Sequence, residues 1–179
     1  MSIIDFSMTE RVRLGIGYLP QEPSVFRNLT VRENLDIALS HSGLSRSLCS
    51  ERRKELIDEF NLVSFLDRFG YQLSGGERRR CEIARALAVG KCGPKYLLLD
   101  EPFAGIDPIA INDLQNLIDR LKNRSLGILI TDHNVRATLA ITDRTYILSE
   151  GRILASGTPD QIAENFTVKE NYLGTSFEL

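Results

Sequence analysis

At 179 residues the chain has room for one domain with a substantial core. A 42% hydrophobic and 26% charged composition is that of an ordinary globular protein, and no apolar run approaches the ~20 residues of a membrane-spanning helix. A net charge of −2 offers no general attraction to nucleic acid or to an anionic membrane surface. Met1-Ser-Ile-Ile-Asp5 lacks the pattern of a signal peptide. Cys49, Cys81, Cys92, His41 and His133 show neither CxxC nor HxxxH spacing, so reduced, packed thiols are expected rather than a metal centre or disulfides.

The first dozen residues carry no clear signal. Leu14–Leu19 reads as a short strand stopped by Pro20, with Gln21 and Glu22 following. Thr30 and Glu33 form a capping-box pattern, which predicts a helix over Val31–His41. A polar link, Ser42–Ser50, leads to an amphipathic helix over Glu51–Leu62 with Leu56, Ile57 and Phe60 on its apolar face. The segment Asn28–Tyr71 therefore reads as a helical subdomain.

Beyond Tyr71 strands and helices alternate. A helix is expected over Gly75–Val89, a strand over Tyr96–Leu99, and a helix capped by Asp107 with Pro108 at its first position. Leu114, Leu117, Ile118 and Leu121 recur at helical spacing in that last element. A second buried strand over Gly127–Ile130, a helix over Asn134–Ile141 and a strand over Thr145–Leu148 follow. Glu150-Gly151 then turns a hairpin into Arg152–Ala155, before short helices from Thr158-Pro159 and around Thr167–Tyr172. Continuous apolar strands joined by helices predict a parallel sheet covered on both faces, hence an α/β fold.

Several side chains in this framework suit phosphate and Mg²⁺ chemistry. Asp100 and Glu101 sit at the carboxyl end of an apolar strand, where open α/β sheets bind ligands. One carboxylate can hold a metal ion while its neighbour deprotonates a water; the alternative is an acidic turn closing the strand. Ser74-Gly75-Gly76-Glu77 opens a helix, and paired glycines admit an anion to its N–H groups, although Ser-x-x-Glu is also a plain capping box. Arg78-Arg79-Arg80 points in three directions on that helix, so a solvated or interface face is expected instead of a nucleic-acid patch. Gln21 after a strand suits bridging of metal and water, and His133 at another strand tip suits a phosphate; either residue type is also common without such a role.

Together these runs resemble the ATP-binding subunits of ABC transporters. The resemblance rests on a signature sequence Leu73-Ser-Gly-Gly-Glu77, a Walker B strand Tyr96–Glu101 and an Asp-loop Ala104-Gly-Ile-Asp107, with a switch histidine His133 and a glutamine loop at Gln21. It covers essentially the whole chain. Gly15–Glu22, Gly76–Arg80, Asp100–Gly105, Thr131–Arg136 and the closing Tyr172–Gly174 and Phe177–Leu179 are further similar to the ATPases of lipopolysaccharide export, and in part to importer ATPases for branched-chain amino acids.

The resemblance implies a P-loop NTPase-like fold: a single ATPase domain over 1–179, with a helical subdomain at 28–71 and a RecA-like core portion with C-terminal helices at 72–179. It implies ATP and Mg²⁺ as ligands, with Asp100 and Gln21 at the metal, Glu101 as general base and His133 at the γ-phosphate. Ser74, Gly75, Gly76 and Asp107 would serve the nucleotide across a head-to-tail dimer with a second ATPase subunit. Transmembrane permease subunits would hold the protein peripherally on the cytoplasmic face of the membrane, through the helical segment and the loop at Gln21. One departure stands out. No GxxxxGK[S/T] loop occurs in these residues, because Gly90-Lys91 is followed by Cys92 and only twenty residues precede Gln21. The expectation is an N-terminally truncated ATPase, inactive or very weak and aggregation-prone in isolation, with exposed strand edges and apolar faces. A non-catalytic partner completing another subunit's site is the alternative from a different class. An ABC-type ATPase of nucleic-acid maintenance is disfavoured by the short spacing between motifs.

Overall fold

The structure is a computed structural model and describes residues 2–90 and 93–174. Lys91 and Cys92, from the Gly90-Lys91-Cys92 run, and the closing Phe177–Leu179 lie outside the described residues. The chain divides into two compact units, Met1–Asp132 and His133–Leu179.

In the first unit the chain begins with a short helix α1 (Met8–Arg13), which sequence reading missed. Its signal was a capping box, since Ser7 accepts from the Glu10 N–H while the Glu10 carboxylate accepts from the Ser7 N–H. Strand β1 (Ile16–Leu19) follows, and after the loop at residues 20–30 comes α2 (Val31–Ser40), capped by the expected Thr30–Glu33 box. Helix α3 (Arg46–Glu59) starts five residues before the expected Glu51, because Ser45 caps it. Much of the polar link is therefore helical. The run is so hydrophilic that no apolar stripe marked its first turns. Short 3₁₀ turns at Val63–Phe65 and Gly70–Gln72 lead into α4 (Gly75–Leu87). Strand β2 (Tyr96–Asp100), helix α5 (Pro108–Lys122) and strand β3 (Gly127–Thr131) complete the unit.

Strands β1, β2 and β3 lie in that order, all parallel, with Tyr18 opposite Leu98 and Leu98 opposite Leu129. On one face Leu19, Leu97 and Leu99 are fully buried, and α4 packs close against β1 there. The approach is so tight that a Cβ on Gly17 would stand 2.8 Å from the Ala86 carbonyl oxygen, so only glycine fits at that crossing. The opposite face is open: Tyr18, Tyr96 and Leu129 are 40%, 58% and 59% exposed. This corrects the expectation of a sheet covered on both faces. The strands are apolar on both sides, as a doubly covered sheet requires, but the described residues cover only one of them. Strand β3 is correspondingly half-exposed rather than buried.

Around this sheet, Asn34 holds the loop before α2. Fully buried, it accepts from the Phe26 N–H and donates to the carbonyls of Phe26, Leu29 and Thr30. The α5 face reads as expected, with Leu114, Leu117, Ile118 and Leu121 all buried.

The second unit contains α6 (Val135–Leu139), an antiparallel hairpin of β4 (Thr145–Ser149) and β5 (Arg152–Gly157), and the short helices α7 (Pro159–Glu164) and α8 (Phe166–Val168). Glu150 and Gly151 make the hairpin turn with φ of 49° and 74°, the left-handed pair that a two-residue turn of this hand requires. Leu139, Ile147, Ile162 and Val168 form its core.

Gly17→Ala is expected to destabilise the protein by about 1–3 kcal/mol through overpacking against α4. Equilibrium urea unfolding checks this; an unchanged midpoint would show that α4 has room to move away.

Candidate active site

The carboxyl edge of the three-stranded sheet gathers the groups best suited to chemistry. Asp100 ends β2, and strand alternation puts its side chain on the same face as Tyr18 and Thr131. Thr131, its register partner on β3, donates its hydroxyl to Asp100 Oδ1 at 2.6 Å. The Tyr18 hydroxyl donates to Asp100 Oδ2 at 3.3 Å. Partial burial, with the Asp100 carboxylate beside it, raises the Tyr18 phenol above its ordinary pKa, so it remains a donor at neutral pH. Both carboxylate oxygens are thus oriented by neutral hydroxyls.

Glu101, next along, has φ of 46°, a left-handed backbone unusual for a residue with a side chain. Its N–H donates to the Thr131 carbonyl at 2.7 Å, and its carbonyl accepts from the Ala104 N–H at 3.2 Å. The Arg79 guanidinium reaches the same carbonyl at 3.3 Å. The turn is held from the other side by Asp132, whose Oδ2 accepts from the Phe103 N–H at 3.0 Å. The strand tip is therefore rigidly built, and consecutive carboxylates leave it with different backbone conformations.

Ser74 caps α4 in a reciprocal box: its Oγ accepts from the Glu77 N–H at 3.3 Å, and Glu77 Oε2 accepts from the Ser74 N–H at 2.8 Å. Arg68 then grips Glu77 with both terminal nitrogens, at 3.1 and 2.7 Å. The two glycines have an intrachain reason to be glycine. A Cβ on Gly75 would lie 2.9 Å from the Gly105 carbonyl oxygen, and one on Gly76 would lie 2.7 Å from the Ala110 Cβ. The start of α4 is thus packed against the loop before α5 and against α5 itself. Helix geometry leaves the first-turn N–H groups without intrahelical acceptors.

Asp107 is the N-cap of α5, its Oδ1 accepting from the N–H groups of Ile109 and Ala110 at 3.1 and 3.0 Å. Gln21 lies exposed in the loop after β1, and its carbonyl accepts from Arg79 at 2.8 Å. His133 opens the second unit, where its carbonyl accepts from the Val135 N–H. Within the first unit the structure therefore brings Asp100 and Glu101 together at one strand tip and ties the Gln21 backbone to it through Arg79.

Arg79 corrects the sequence reading of the three arginines. It is 3% exposed, not on a solvated face, and pairs with the buried Glu82 at 3.2 Å. Nothing in three consecutive arginines marks the middle one, since the backbone carbonyls it reaches, those of Pro20, Gln21 and Glu101, lie far away in sequence. Tyr18 and Thr131 were also missed; strand alternation around Asp100 was their available signal. Cys81 is buried and its thiol is pushed up to about 12, which makes it the packed, unreactive thiol expected.

Asp100 with its two hydroxyl neighbours is a hard-oxygen environment that suits Mg²⁺. Among the described residues no group of three or more His, Cys, Asp or Glu gathers around a common point. A dication therefore fits here with one carboxylate, waters and substrate phosphates rather than in an all-protein cage.

Comparison with known proteins gives the family. A family model described as ABC transporter matches residues 2–104. The lipopolysaccharide export system ATP-binding protein LptB of Haemophilus influenzae is 53% identical over 173 residues, covering 96% of this chain and 70% of the relative. Its Escherichia coli K12 counterpart is 52% identical over 170 residues, covering 94% and 69%. A solved ATP-binding cassette of an ABC transporter, MJ1267, superposes with a TM-score of 0.81 at 29% identity, covering 96% of this chain and 74% of that one.

Burial alone would raise the Glu77 pKa, but the Ser74 N–H and hydroxyl and the Arg68 guanidinium together hold it below its ordinary value. A depressed carboxylate stabilises the fold above its unfolded pKa and loses that contribution as pH falls through the folded one. Stability is thus expected to drop as pH falls below the ordinary glutamate range, and Glu77→Gln should flatten that dependence in urea unfolding. An identical pH profile in the variant would contradict the cap assignment. Family match, relatives and strand-tip geometry converge: the chain belongs to the ATP-binding subunits of ABC transporters.

Proposed function

We propose that the chain is the ATP-hydrolysing subunit of a transporter that exports lipopolysaccharide. The observation that carries the hydrolytic reading is the strand tip. Asp100, oriented by Thr131 and Tyr18, adjoins Glu101 on a left-handed backbone at the carboxyl edge of a parallel sheet. The substrate class is supported by the Haemophilus influenzae and Escherichia coli relatives, which belong to lipopolysaccharide export systems.

In this reading Glu101 accepts the proton of the water that attacks the γ-phosphate, as a general base positioned by its turn. Asp100 and Gln21 would hold Mg²⁺, which when bound would neutralise the charge that develops on the phosphates. His133 contacts the γ-phosphate. Ser74, Gly75 and Gly76 offer their hydroxyl and first-turn N–H groups to nucleotide held by a second ATPase subunit in a head-to-tail dimer. Asp107 keeps the start of α5 in register with that surface. The helical segment 28–71 and the Gln21 loop would receive the permease subunits, which place the protein on the inner face of the membrane.

In the ATPase assembled with its partners, Glu101→Gln is expected to lower ATP turnover by about 100-fold or more while nucleotide still binds within a few-fold of wild type. Turnover equal to wild type would instead assign the chain a non-catalytic part in another subunit's site. With the permease reconstituted in vesicles, ATP should drive extraction of lipopolysaccharide; ATP-driven uptake of leucine instead would overturn the substrate class. A polypeptide restricted to these 179 residues contains no GxxxxGK[S/T] sequence to cradle the phosphates. It is expected to bind MgATP only weakly, and micromolar affinity by calorimetry would contradict this.

A further inference from the structure

We propose that Arg79 is a positioning residue for hydrolysis, fixing the backbone of Glu101 and of the Gln21 loop from the helix that carries Ser74–Gly76. The inference rests on the reading of Glu101 as the general base. Four acceptors converge on the Arg79 guanidinium, which is almost wholly buried. Nη1 donates to the Pro20 carbonyl at 3.1 Å and to Glu82 Oε2 at 3.2 Å. Nη2 donates to the Gln21 carbonyl at 2.8 Å and to the Glu101 carbonyl at 3.3 Å. Glu82, one turn along α4, continues the same grip with its other oxygen. Its Oε1 accepts from the N–H groups of Ser24 and Val25 at 2.6 and 3.0 Å. The first half of the loop after β1 is thus held at two points by one ion pair on one helix.

Two physical points set this apart from core filling. A buried ion pair is a poor stabilising device compared with apolar packing of the same volume, so stability alone does not call for it. And the Glu101 carbonyl belongs to a residue in the left-handed region, a conformation that persists only where its surroundings over-determine it. A planar guanidinium reaches two loops at once from a fixed helix; an ammonium is a single point on a flexible stem. Arg79 therefore connects three things within one subunit: the helix start that would serve a partner's nucleotide, the metal-proximal loop, and the base.

The test uses the full chain assembled with its partners and reads ATP turnover, KM for ATP and the melting midpoint. Arg79→Lys keeps a positive charge opposite Glu82, so it is expected to melt near wild type. Its kcat should fall by about 10- to 100-fold, the scale on which a small displacement of a catalytic group acts, with KM within about threefold. Arg79→Met should lose more. On a Glu101→Gln background, Arg79→Lys should add little to the residual loss in single-turnover assays, because Arg79 acts through Glu101. Wild-type kcat in Arg79→Lys, or an undiminished further loss on that background, overturns the proposal. So does a variant in which melting midpoint and kcat fall together while KM rises, which would assign Arg79 to packing. Wild-type turnover in Glu101→Gln alone would overturn the base assignment instead, and is read separately.

Discussion

The buried pair between Arg79 and Glu82 is the contact on which the path of the loop after β1 and its link to the turn after β2 depend. It is formed inside one helical turn of α4, so its geometry is set locally. Its spare hydrogen-bonding capacity reaches both the loop after β1, nearly sixty positions back, and the turn after β2, about twenty positions on. Both charges are removed from water, which is costly unless every remaining donor and acceptor is used. Here the backbone carbonyls of Pro20, Gln21 and Glu101 and the N–H groups of Ser24 and Val25 supply much of that satisfaction. Arg85 extends the pattern one turn further, donating to the Ser24 carbonyl at 2.7 Å and lying over the Phe26 ring. An irregular loop is thereby given a fixed path across a helix. Loops otherwise gain such definition from regular secondary structure.

With that loop fixed, the sheet edge acquires its chemistry from simple alternation. Asp100 and Thr131 share a face as register partners, and Tyr18, opposite Leu98 two residues before Asp100, joins them by strand alternation. Glu101 follows on a left-handed backbone immediately after the strand. The same helix that grips the loop also carries Ser74 at its N-terminus, packed so closely on the segment before α5 that Gly75 and Gly76 admit no side chains. Helix start, strand tip and loop are thus connected through α4 by hydrogen bonds and close packing.

The parts of this arrangement legible in the sequence were those encoded locally. The boxes Thr30–Glu33 and Ser74–Glu77 and the Asp107-Pro108 start each announce a helix within four residues, and each was found where expected. The left-handed Glu150-Gly151 turn was equally local. Ser7–Glu10 carried the same signal and was passed over because no apolar stripe followed it in so short a helix. Long-range features were not legible. Arg79 reads as a surface charge until the fold brings Pro20 and Glu101 to it. The apolar strands correctly indicated a parallel sheet, but apolarity on both sides does not say which elements cover each side. In the described residues one face is buried under α4 and the other carries Tyr18, Tyr96 and Leu129 exposed.

The central claim is that the ion pair on α4 holds the loop after β1 rigidly in place. Native-state amide hydrogen exchange at Ser24 and Val25 tests it most directly, because both N–H groups lie in an irregular segment and have Glu82 as their acceptor. The account predicts protection comparable to that of amides in β1 and β2, lost selectively in Glu82→Ala while the strands stay protected. Exchange of Ser24 and Val25 at the rate of an unstructured loop in the wild-type protein would contradict it.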